Sequence, residues 1–426
     1  MAEMSNDPLW QGLWDTGVDW WSMAVRQASP PTFAITLVLV LLCGYYITQY
    51  WHKPSHNPAA LHLVPTSSSY PRTVYTTPRK IPFYLFLHDF LTNRVELRGR
   101  DGTGLNHIGD FIYFPLSLRS VWTFAVRVLP RWLWHSKSRD AKDWCRYHDG
   151  RDDLFDAFLG RERMTWTAHF GQVDWPLTRA QEACLDLIAQ RLVETDHDDH
   201  ILNIGLGWGT YELYMGSNHM AFFTSTSLSA EQAKYSQEMF ERANLDNRVA
   251  IRRDDFRDLK AMAQFTKIVS LETPDWVGQK NLAEFFQKCY ALLKPGGRML
   301  FQCTTSPSPF ASAFSDYFSE PFHYHLYTLT NICPGRDTPL FTTLNDYVHE
   351  IKQAGFDIVT IDNISNDAAL THAHWFQLWE QHKRDIELKF GEYLYRQWEL
   401  YFAWSSSIFK RGKISRYTIV IQKSSA

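Results

Sequence analysis

The chain has 426 residues, a formal net charge of −3 and 45% hydrophobic residues. Its length exceeds that of one small domain and favours a large enzyme domain with an extension, and the lack of a basic excess argues against nucleic-acid binding. The six cysteines form no CxxC pair and no zinc-ligand spacing, so we expect reduced thiols, a cytosol-facing domain and no metal site.

The segment from Thr32 to Tyr50 is uncharged and almost entirely apolar. About 19 helical residues nearly span a bilayer core of roughly 30 Å, so we predict a transmembrane segment over 32–51 behind a tail formed by 1–31. A signal peptide or a buried helix are the alternatives. More basic residues follow the segment than precede it, and the positive-inside rule therefore predicts that the main domain faces the cytosol. The expected location is a membrane, that of the endoplasmic reticulum.

Residues 52–140 are predicted to form a linker followed by membrane-associated helices. Residues 53–80 are rich in Pro, Ser, Thr and His, as linkers are. The stretch from Ile81 to Leu91 is apolar but short for a membrane span. The stretch from Phe111 to Trp134 combines large apolar residues with three arginines, which is typical of an interfacial helix in the headgroup region. A second span, or an amphipathic helix packed on the enzyme, are the alternatives.

Short apolar runs alternate with helical patterns through residues 141–426. This alternation predicts an α/β domain with a doubly wound, Rossmann-like parallel sheet. The predicted strands cover residues 200–204, 221–226, 249–252, 267–271 and 298–303. The predicted helices cover residues 178–192, 211–217, 229–243 and 282–293.

A glycine-rich turn follows the first predicted strand, with Gly205, Gly207 and Gly209 at every second position. Glycines at this spacing let the backbone turn tightly and approach a ligand closely. The GxGxG pattern differs from the GxGxxG of dinucleotide enzymes and resembles the first motif of S-adenosylmethionine methyltransferases; a purely structural turn is the alternative. Asn203 stands where such motifs usually have an acid, so it keeps hydrogen-bonding capacity without the attraction for a cationic cofactor.

Further candidate cofactor contacts follow at the ends of the next two predicted strands. Thr226 ends the second strand, and Gln232 lies in the helix after it. Asp255 and Phe256 follow the third strand. Because the ends of successive strands line one crevice in this fold, we expect Asp255 to accept a hydrogen bond from the adenine amine and Phe256 to stack on the adenine ring.

Seven segments together resemble one enzyme family in order along the chain: residues 147–160, 203–209, 227–232, 255–259, 277–278, 332–335 and 397–403. They resemble the cyclopropane fatty acid synthase superfamily, and within it the fungal sphingolipid carbon-9 methyltransferases. The resemblance implies S-adenosyl-L-methionine as the cofactor and a hydrophobic or lipid substrate at a membrane. It implies methyl transfer to carbon, and it leaves the oligomeric state open.

The resemblance also identifies positions where this chain differs from its relatives. Relatives of the cyclopropane type hold a bicarbonate ion with a Cys, a Glu, a His and a Tyr. The corresponding residues here are Thr167, Asp275, Gln302 and Ala368, and Asp275 with Trp276 replaces a Glu-His pair. Because of these differences, we do not expect this chain to form cyclopropanes. They also leave open which group removes the proton from the intermediate.

Methyl transfer to an alkene carbon leaves a carbocation that must be stabilised and deprotonated. Aromatic faces stabilise cations, and a carboxylate in an apolar pocket can act as a base. We therefore predict Asp275 as the base, Trp276 as a stabilising ring, and Thr167 and Gln302 as the rest of the catalytic set. The alternatives are core packing for the tryptophans and helix capping for Asp275. Two other functions stay open: N- or O-methylation of a small hydrophobic metabolite, and a non-catalytic membrane-bound protein.

Two histidine segments remain after this assignment. The segment that contains His148, Asp149 and Asp152 is either a cofactor contact or lid, or a solvated turn before a helix. His372 and His374 are two residues apart, but no carboxylate pattern joins them, so we predict no metal site there.

Overall fold

The computed structural model describes residues 39, 62–65, 81–98, 112–114, 117–130, 136–192, 199–260, 262–271, 273–306, 316–334, 336 and 342–425. The predicted tail (1–31) and, apart from Leu39, the predicted transmembrane segment (32–51) lie outside these residues. Among the helices in the described ranges, none combines the length and the apolar character that crossing a membrane requires.

Two short strand pairs precede the main domain. Strand β1 (His62–Pro65) pairs in antiparallel fashion with β3 (Val95–Arg98), and β2 (Ile81–Pro82) pairs in parallel with β4 (Ile112–Tyr113). Strand β1 lies inside the stretch that the sequence predicts as a linker, so that prediction is wrong for these four residues. Its pairing with β3 supplies backbone hydrogen bonds that composition alone does not reveal.

Helix α1 (Phe83–Leu91) lies against the C-terminal part of the chain. The ring of Phe83 is 4.9 Å from that of Trp404, and Arg396 Nη1 donates to the carbonyl oxygen of Phe90 at 3.2 Å. The apolar stretch from Ile81 to Leu91 therefore consists of strand β2 and an amphipathic helix packed on the enzyme, as one of the two alternatives predicted.

Helix α2 (Leu118–Thr123) continues as a π-helix over Phe124–Val128. Ser117 caps its start by accepting a hydrogen bond from the backbone nitrogen of Ser120 at 3.0 Å. One face packs inward through Phe124, whose ring is 5.5 Å from that of Phe322. The opposite face exposes large apolar side chains at four-residue spacing: Leu118, Trp122 and Val126.

The main domain is built on a seven-stranded sheet with the order β10-β11-β9-β8-β5-β6-β7. Its strands are β5 (His200–Ile204), β6 (Phe222–Thr226), β7 (Val249–Arg252), β8 (Phe265–Leu271), β9 (Leu293–Thr305), β10 (Phe356–Asn363) and β11 (Ser415–Lys423). All five predicted strands are present, and β10 and β11 were not predicted. Strand β11 runs antiparallel to both neighbours, so the sheet is mixed and the prediction of an all-parallel sheet is wrong at this edge.

Twelve helices are described in the main domain. They are α3 (Lys137–His148), α4 (Asp152–Leu159), α5 (Leu177–Leu192), α6 (Thr210–Asn218), α7 (Ala230–Arg242), α8 (Pro274–Val277), α9 (Leu282–Leu292), α10 (Asp316–Tyr327), α11 (Leu344–Gln353), α12 (Ser365–Gln381), α13 (Lys383–Phe390) and α14 (Glu392–Lys410). The four predicted helices correspond to α5, α6, α7 and α9. Neighbouring strand residues such as Ile201 and Leu202 belong to two different apolar clusters, as expected for side chains on opposite faces of a sheet.

Helices α4, α12 and α14 pack together through aromatic side chains. The ring of Phe158 on α4 is 5.6 Å from that of Trp375 on α12 and 4.8 Å from that of Phe402 on α14. Aromatic pairs at this separation add to the free energy of area burial. The three helices thus form one aromatic unit, which supplies much of the wall described below.

Candidate functional site

Three glycines shape the turn between β5 and α6. Gly205, Gly207 and Gly209 have φ values of +102°, +58° and +78°, a region that other residues rarely adopt. A Cβ on Gly205 would lie 2.5 Å from Oγ1 of Thr273, and one on Gly209 would lie 2.9 Å from the ring of Phe240. A side chain at position 205 would collide with the residues that follow β8, and a side chain at position 209 would collide with α7 at the start of α6. Both positions therefore require glycine.

A cavity of about 600 Å³ opens at the carboxyl ends of four adjacent parallel strands. We call it the glycine-loop cavity. Each strand end contributes to its wall: Gly205 after β5, Thr226 on β6, Asp255 and Phe256 after β7, and Thr273 after β8. This edge of an open α/β sheet is where such folds bind their ligands.

Four of the eight predicted cofactor-binding residues line this cavity: Gly205, Thr226, Asp255 and Phe256. Gly207 and Gly209 belong to the turn. Asn203 and Gln232 are buried nearby in the fold, and Oδ1 of Asn203 and both amide atoms of Gln232 have no hydrogen-bond partner among the described residues. A buried polar atom left unpaired costs roughly 1–3 kcal/mol, so these atoms fit a polar ligand such as a nucleoside cofactor.

The carboxylate of Asp255 is engaged by Arg257. Its Oδ1 accepts from the backbone nitrogen and from Nε of Arg257 at 2.9 and 2.8 Å, and Nη2 of Arg257 also donates to Asp140 on α3 at 2.8 Å. Asp140 and Trp144, both on α3, also line the cavity. The contact of Asp255 with an adenine amine stays a prediction, while its observed role is to fix Arg257 and, through it, α3.

A buried carboxylate that the sequence analysis missed lies beside Asn203. Nδ2 of Asn203 donates to Oε1 of Glu212 at 2.7 Å, and Oγ of Ser225 donates to the same oxygen at 2.5 Å. Glu212 is fully buried, and burial raises its pKa above the ordinary value for Glu. A Glu in the first turn of a helix is common, so nothing in the sequence marks it. Its carboxylate adjoins the position where the resemblance expects an acid.

A second cavity, of about 700 Å³, adjoins the first. We call it the aromatic cavity. Trp144, Thr273 and Trp276 line both cavities. The rest of its wall is largely aromatic and comes from α3, α4, α12 and α14: Tyr147, Phe155, Phe158, Trp375, Trp398, Tyr401 and Phe402. The shared residues put a ligand of one cavity within reach of a ligand of the other.

Two arginines that the sequence analysis missed also line the aromatic cavity, Arg336 and Arg416. Arg336 forms an ion pair with Asp275, whose oxygens accept from the backbone nitrogen and Oγ1 of Thr304 at 2.8 and 2.7 Å. Oγ1 of Thr304 accepts from Nη2 of Arg416 at 3.0 Å, and Nη1 of Arg416 donates to Thr167 at 2.9 Å. One buried network therefore holds both guanidinium groups.

Of the predicted catalytic set, Trp276 lies in the wall of both cavities. Asp275, Thr167 and Gln302 are buried outside the two walls, and the first two hold the arginines that line the aromatic cavity. The carboxylate of Asp275 is engaged on both oxygens. The geometry therefore favours a positioning role for Asp275 over the predicted role of base.

Two histidines line the aromatic cavity, His148 and His372. Burial lowers the pKa of His148 to about 4. Burial, and then the charge of Arg416, lower the pKa of His372 to about 3. Both rings are therefore neutral near pH 7. In the described part of the chain, no three His, Cys, Asp or Glu residues are grouped so that they could hold a metal ion.

Comparison with known proteins gives likenesses at the level of family, of sequence and of fold. The model of the mycolic acid cyclopropane synthetase family matches residues 135–419. Sphingolipid C9-methyltransferase 1 from Gibberella zeae is 27% identical over 372 residues, which cover 86% of this chain and 70% of that protein. A cyclopropane synthase structure from Mycobacterium tuberculosis has a TM-score of 0.61 at 22% identity, over 66% of this chain and 98% of that one.

One further solved structure has a similar fold. It is a mycolic acid cyclopropane synthase in complex with SAH and CTAB, with a TM-score of 0.62 at 21% identity, covering 66% of this chain and 98% of that one. At these identities the two structures establish the α/β fold with its mixed sheet.

Proposed function

Because the chain belongs to the mycolic acid cyclopropane synthetase family and is an S-adenosylmethionine-dependent methyltransferase, we propose that it transfers a methyl group to a carbon atom of a lipid or similar hydrophobic molecule. The resemblance seen in the sequence motifs is confirmed by the family match. The observation that carries the proposal is the wall of Trp144, Thr273 and Trp276 shared by the glycine-loop cavity and the aromatic cavity.

The glycine-loop cavity offers groups that suit S-adenosylmethionine. Gly205 permits close approach of the backbone, Thr226 and Asp255 offer polar groups at neighbouring strand ends, and Phe256 offers an aromatic face. When bound, the cofactor supplies an electrophilic methyl group on a positively charged sulfur. The protein's own part is to hold that group at the wall shared with the aromatic cavity.

The aromatic cavity suits a hydrophobic acceptor. Its rings favour burial of an alkyl chain and stabilise positive charge on a carbon atom next to them. The relative from Gibberella zeae is named for methylation of a sphingolipid at C9, and we infer that this chain likewise accepts an unsaturated lipid. Asp275 and Thr167 contribute indirectly, since they hold the two arginines of the wall in place.

We further propose that the protein works at a membrane, in the endoplasmic reticulum, with its catalytic domain on the cytosolic side. The apolar segment 32–51 supports this proposal. So does the outer face of α2 and its π-helical continuation, where Trp122 is 71% exposed and Leu118 is 58% exposed. Arg119 and Arg127 flank this face, so cationic side chains stand where lipid phosphates would be.

A second candidate function is methylation of an amine in a small hydrophobic metabolite. The aromatic cavity favours it as well, because an aromatic wall also binds cationic amines. The two functions differ in the atom that carries the new methyl group. The product therefore decides between them.

The test is to incubate membranes containing the full chain with radiolabelled S-adenosylmethionine and a lipid extract. We expect label in a lipid fraction, and mass spectrometry of the product should place the extra methyl group on a chain carbon. Label confined to amine-containing metabolites would replace this proposal with amine methylation. No label in any fraction, with normal cofactor binding, would support the non-catalytic alternative.

A further inference from the structure

His372 on α12 presents one unprotonated ring nitrogen to the aromatic cavity. Its Nδ1 lies 2.8 Å from the carbonyl oxygen of Ala368, one helical turn earlier. Because a carbonyl can only accept, Nδ1 carries the proton and Nε2 keeps its lone pair. Nε2 has no hydrogen-bond partner among the described residues, and the ring lines the cavity. It is therefore a hydrogen-bond acceptor open to a bound molecule.

The surroundings of His372 keep this nitrogen unprotonated. The ring lies 5.0 Å from that of Trp375, 5.9 Å from that of Tyr401 and 5.6 Å from that of Phe409. Arg416 and Arg336, the latter paired with Asp275, are the charged groups that act on it, and both lower its pKa. The ring stays neutral at physiological pH and can accept a proton without first losing one.

We propose that Nε2 of His372 accepts the proton that the lipid substrate releases after methyl transfer, an inference that rests on the proposed function. The electron pair of the substrate double bond forms the new carbon–methyl bond, and the methyl–sulfur bond breaks with its electron pair left on sulfur. The neighbouring carbon becomes cationic. An adjacent C–H bond then gives its electron pair to a new double bond, and its proton moves to Nε2.

A weakly basic imidazole is sufficient for this step, because a proton next to a carbocation is strongly acidic. The positive charge that His372 gains is disfavoured by Arg416 and Arg336, so the proton passes on to solvent and the neutral ring is restored. The charges balance, since the cationic sulfur becomes neutral and one proton is released.

The position of His372 distinguishes it from the other candidate bases. Asp275 is engaged by Arg336 and Thr304 and does not line the cavity. His148 stacks on Trp144 at 4.3 Å, so it lies beside the wall shared with the glycine-loop cavity. His372 instead adjoins Trp375, which lines only the aromatic cavity.

The first test compares His372→Gln with His374→Gln in the full-length, membrane-bound protein, using the lipid fraction that takes up label. His374 lies on the same helix, stacks on Phe170 at 5.4 Å and is outside the cavity wall. We expect His372→Gln to lower kcat by about 10²- to 10⁴-fold with unchanged cofactor affinity, and His374→Gln to behave as wild type. Wild-type kcat in His372→Gln would overturn the proposal.

An isotope effect separates a proton acceptor from a structural residue. With a lipid deuterated along its chain, loss of the base should make C–H cleavage limiting, so the deuterium isotope effect in single turnovers should rise in His372→Gln. It should stay at the wild-type value in His374→Gln. A fall in kcat without a larger isotope effect would assign His372 a structural role and overturn the proposal.

A measurement that needs no turnover tests the role of His372 independently of the proposed function. In ¹⁵N-histidine spectra of the full chain, the resonances missing from His372→Gln belong to His372. We expect a neutral ring protonated on Nδ1 from about pH 5 to about pH 8. An imidazolium ring, or one protonated on Nε2, would overturn the assignment of His372. If wild type labels no lipid, the proposed function fails, and the spectra still decide whether Nε2 is available as an acceptor.

Discussion

Asp275 and Arg336 form an ion pair whose carboxylate is buried behind the aromatic cavity and whose guanidinium lies in the cavity wall. Thr304 donates to both oxygens of the same carboxylate. The charge of Asp275 therefore acts on the cavity through the arginines it helps to place, above all Arg336. This relationship distinguishes a positioning residue from a base.

Asp275→Asn preserves the shape of the side chain and removes its charge. We expect a lower kcat and a loss of about 3–5 kcal/mol in the free energy of unfolding, because Arg336 loses the counter-charge that Asp275 supplies. Adding Arg336→Met should lower kcat little further, since the two residues act as a pair, and should recover part of the stability. Kinetics and urea unfolding measure both quantities. Additive losses would contradict the pairing, and near-normal kcat in Asp275→Asn would make the residue purely structural.

Gly205→Ala tests the assignment of the glycine-loop cavity. The new Cβ would meet Thr273 Oγ1 at 2.5 Å on a backbone with φ of +102°, so we expect cofactor affinity to fall by about tenfold or more, which is ~1.4 kcal/mol. Calorimetric titration measures this loss. Gly412→Ala is the matched control, because Gly412 also has a positive φ but open space around its Cβ position. Equal loss of affinity in both variants would argue against close approach at Gly205.

Glu212→Gln should make the protein more stable at neutral pH. Burial raises the pKa of Glu212, so the folded state holds its proton more tightly than the unfolded state. Stability therefore falls as pH rises from the ordinary Glu pKa, about 4.3, to the raised value. The variant has no titrating carboxyl at this position, so it avoids this loss of stability. Its amide oxygen can still accept a hydrogen bond from Asn203. Urea unfolding should show a difference at pH 7 that shrinks towards pH ~4; a constant difference would contradict it.

Deleting residues 1–52 should release part of the protein from the membrane pellet. Adding Trp122→Asp should release more, because Trp122 stands at the centre of the exposed apolar face of α2 and a charge there opposes interfacial binding. Leu388→Asp is the control, since Leu388 on α13 is 78% exposed but isolated from that face. Fractionation and blotting measure the distribution. A full-length protein found entirely in the supernatant would refute membrane attachment.

The parts of the fold that the sequence predicted are those with local signals. Strands β5 to β9 read as short apolar runs separated by helices, and the glycines at 205, 207 and 209 stand within five residues of one another. Strand β10 has one buried residue, Phe356, and then alternates exposed and half-buried positions, and β11 lies beside it only because the chain returns through α12 and α14. Long-range pairing of this kind leaves no mark in a local window.

The residues of the site also fall into two groups, those with a local sequence signal and those that only long-range packing brings together. Gly205, Thr226 and Asp255 follow successive strands, so the order of the sheet alone brings them together. Arg336, Arg416 and His372 come from three distant segments that the packing of the helices and β11 unites. No spacing connects these three residues, and an arginine is usually a surface residue. Only the three-dimensional structure reveals them as neighbours.

Trp144 lies in the wall of both cavities, and its helix α3 is tied to the loop after β7 by the ion pair of Asp140 with Arg257. Because this one side chain lines both cavities, a displacement of Trp144 would open both of them together. We therefore expect the methyl-donor chamber and the acceptor chamber to gain or lose contact with solvent as one unit.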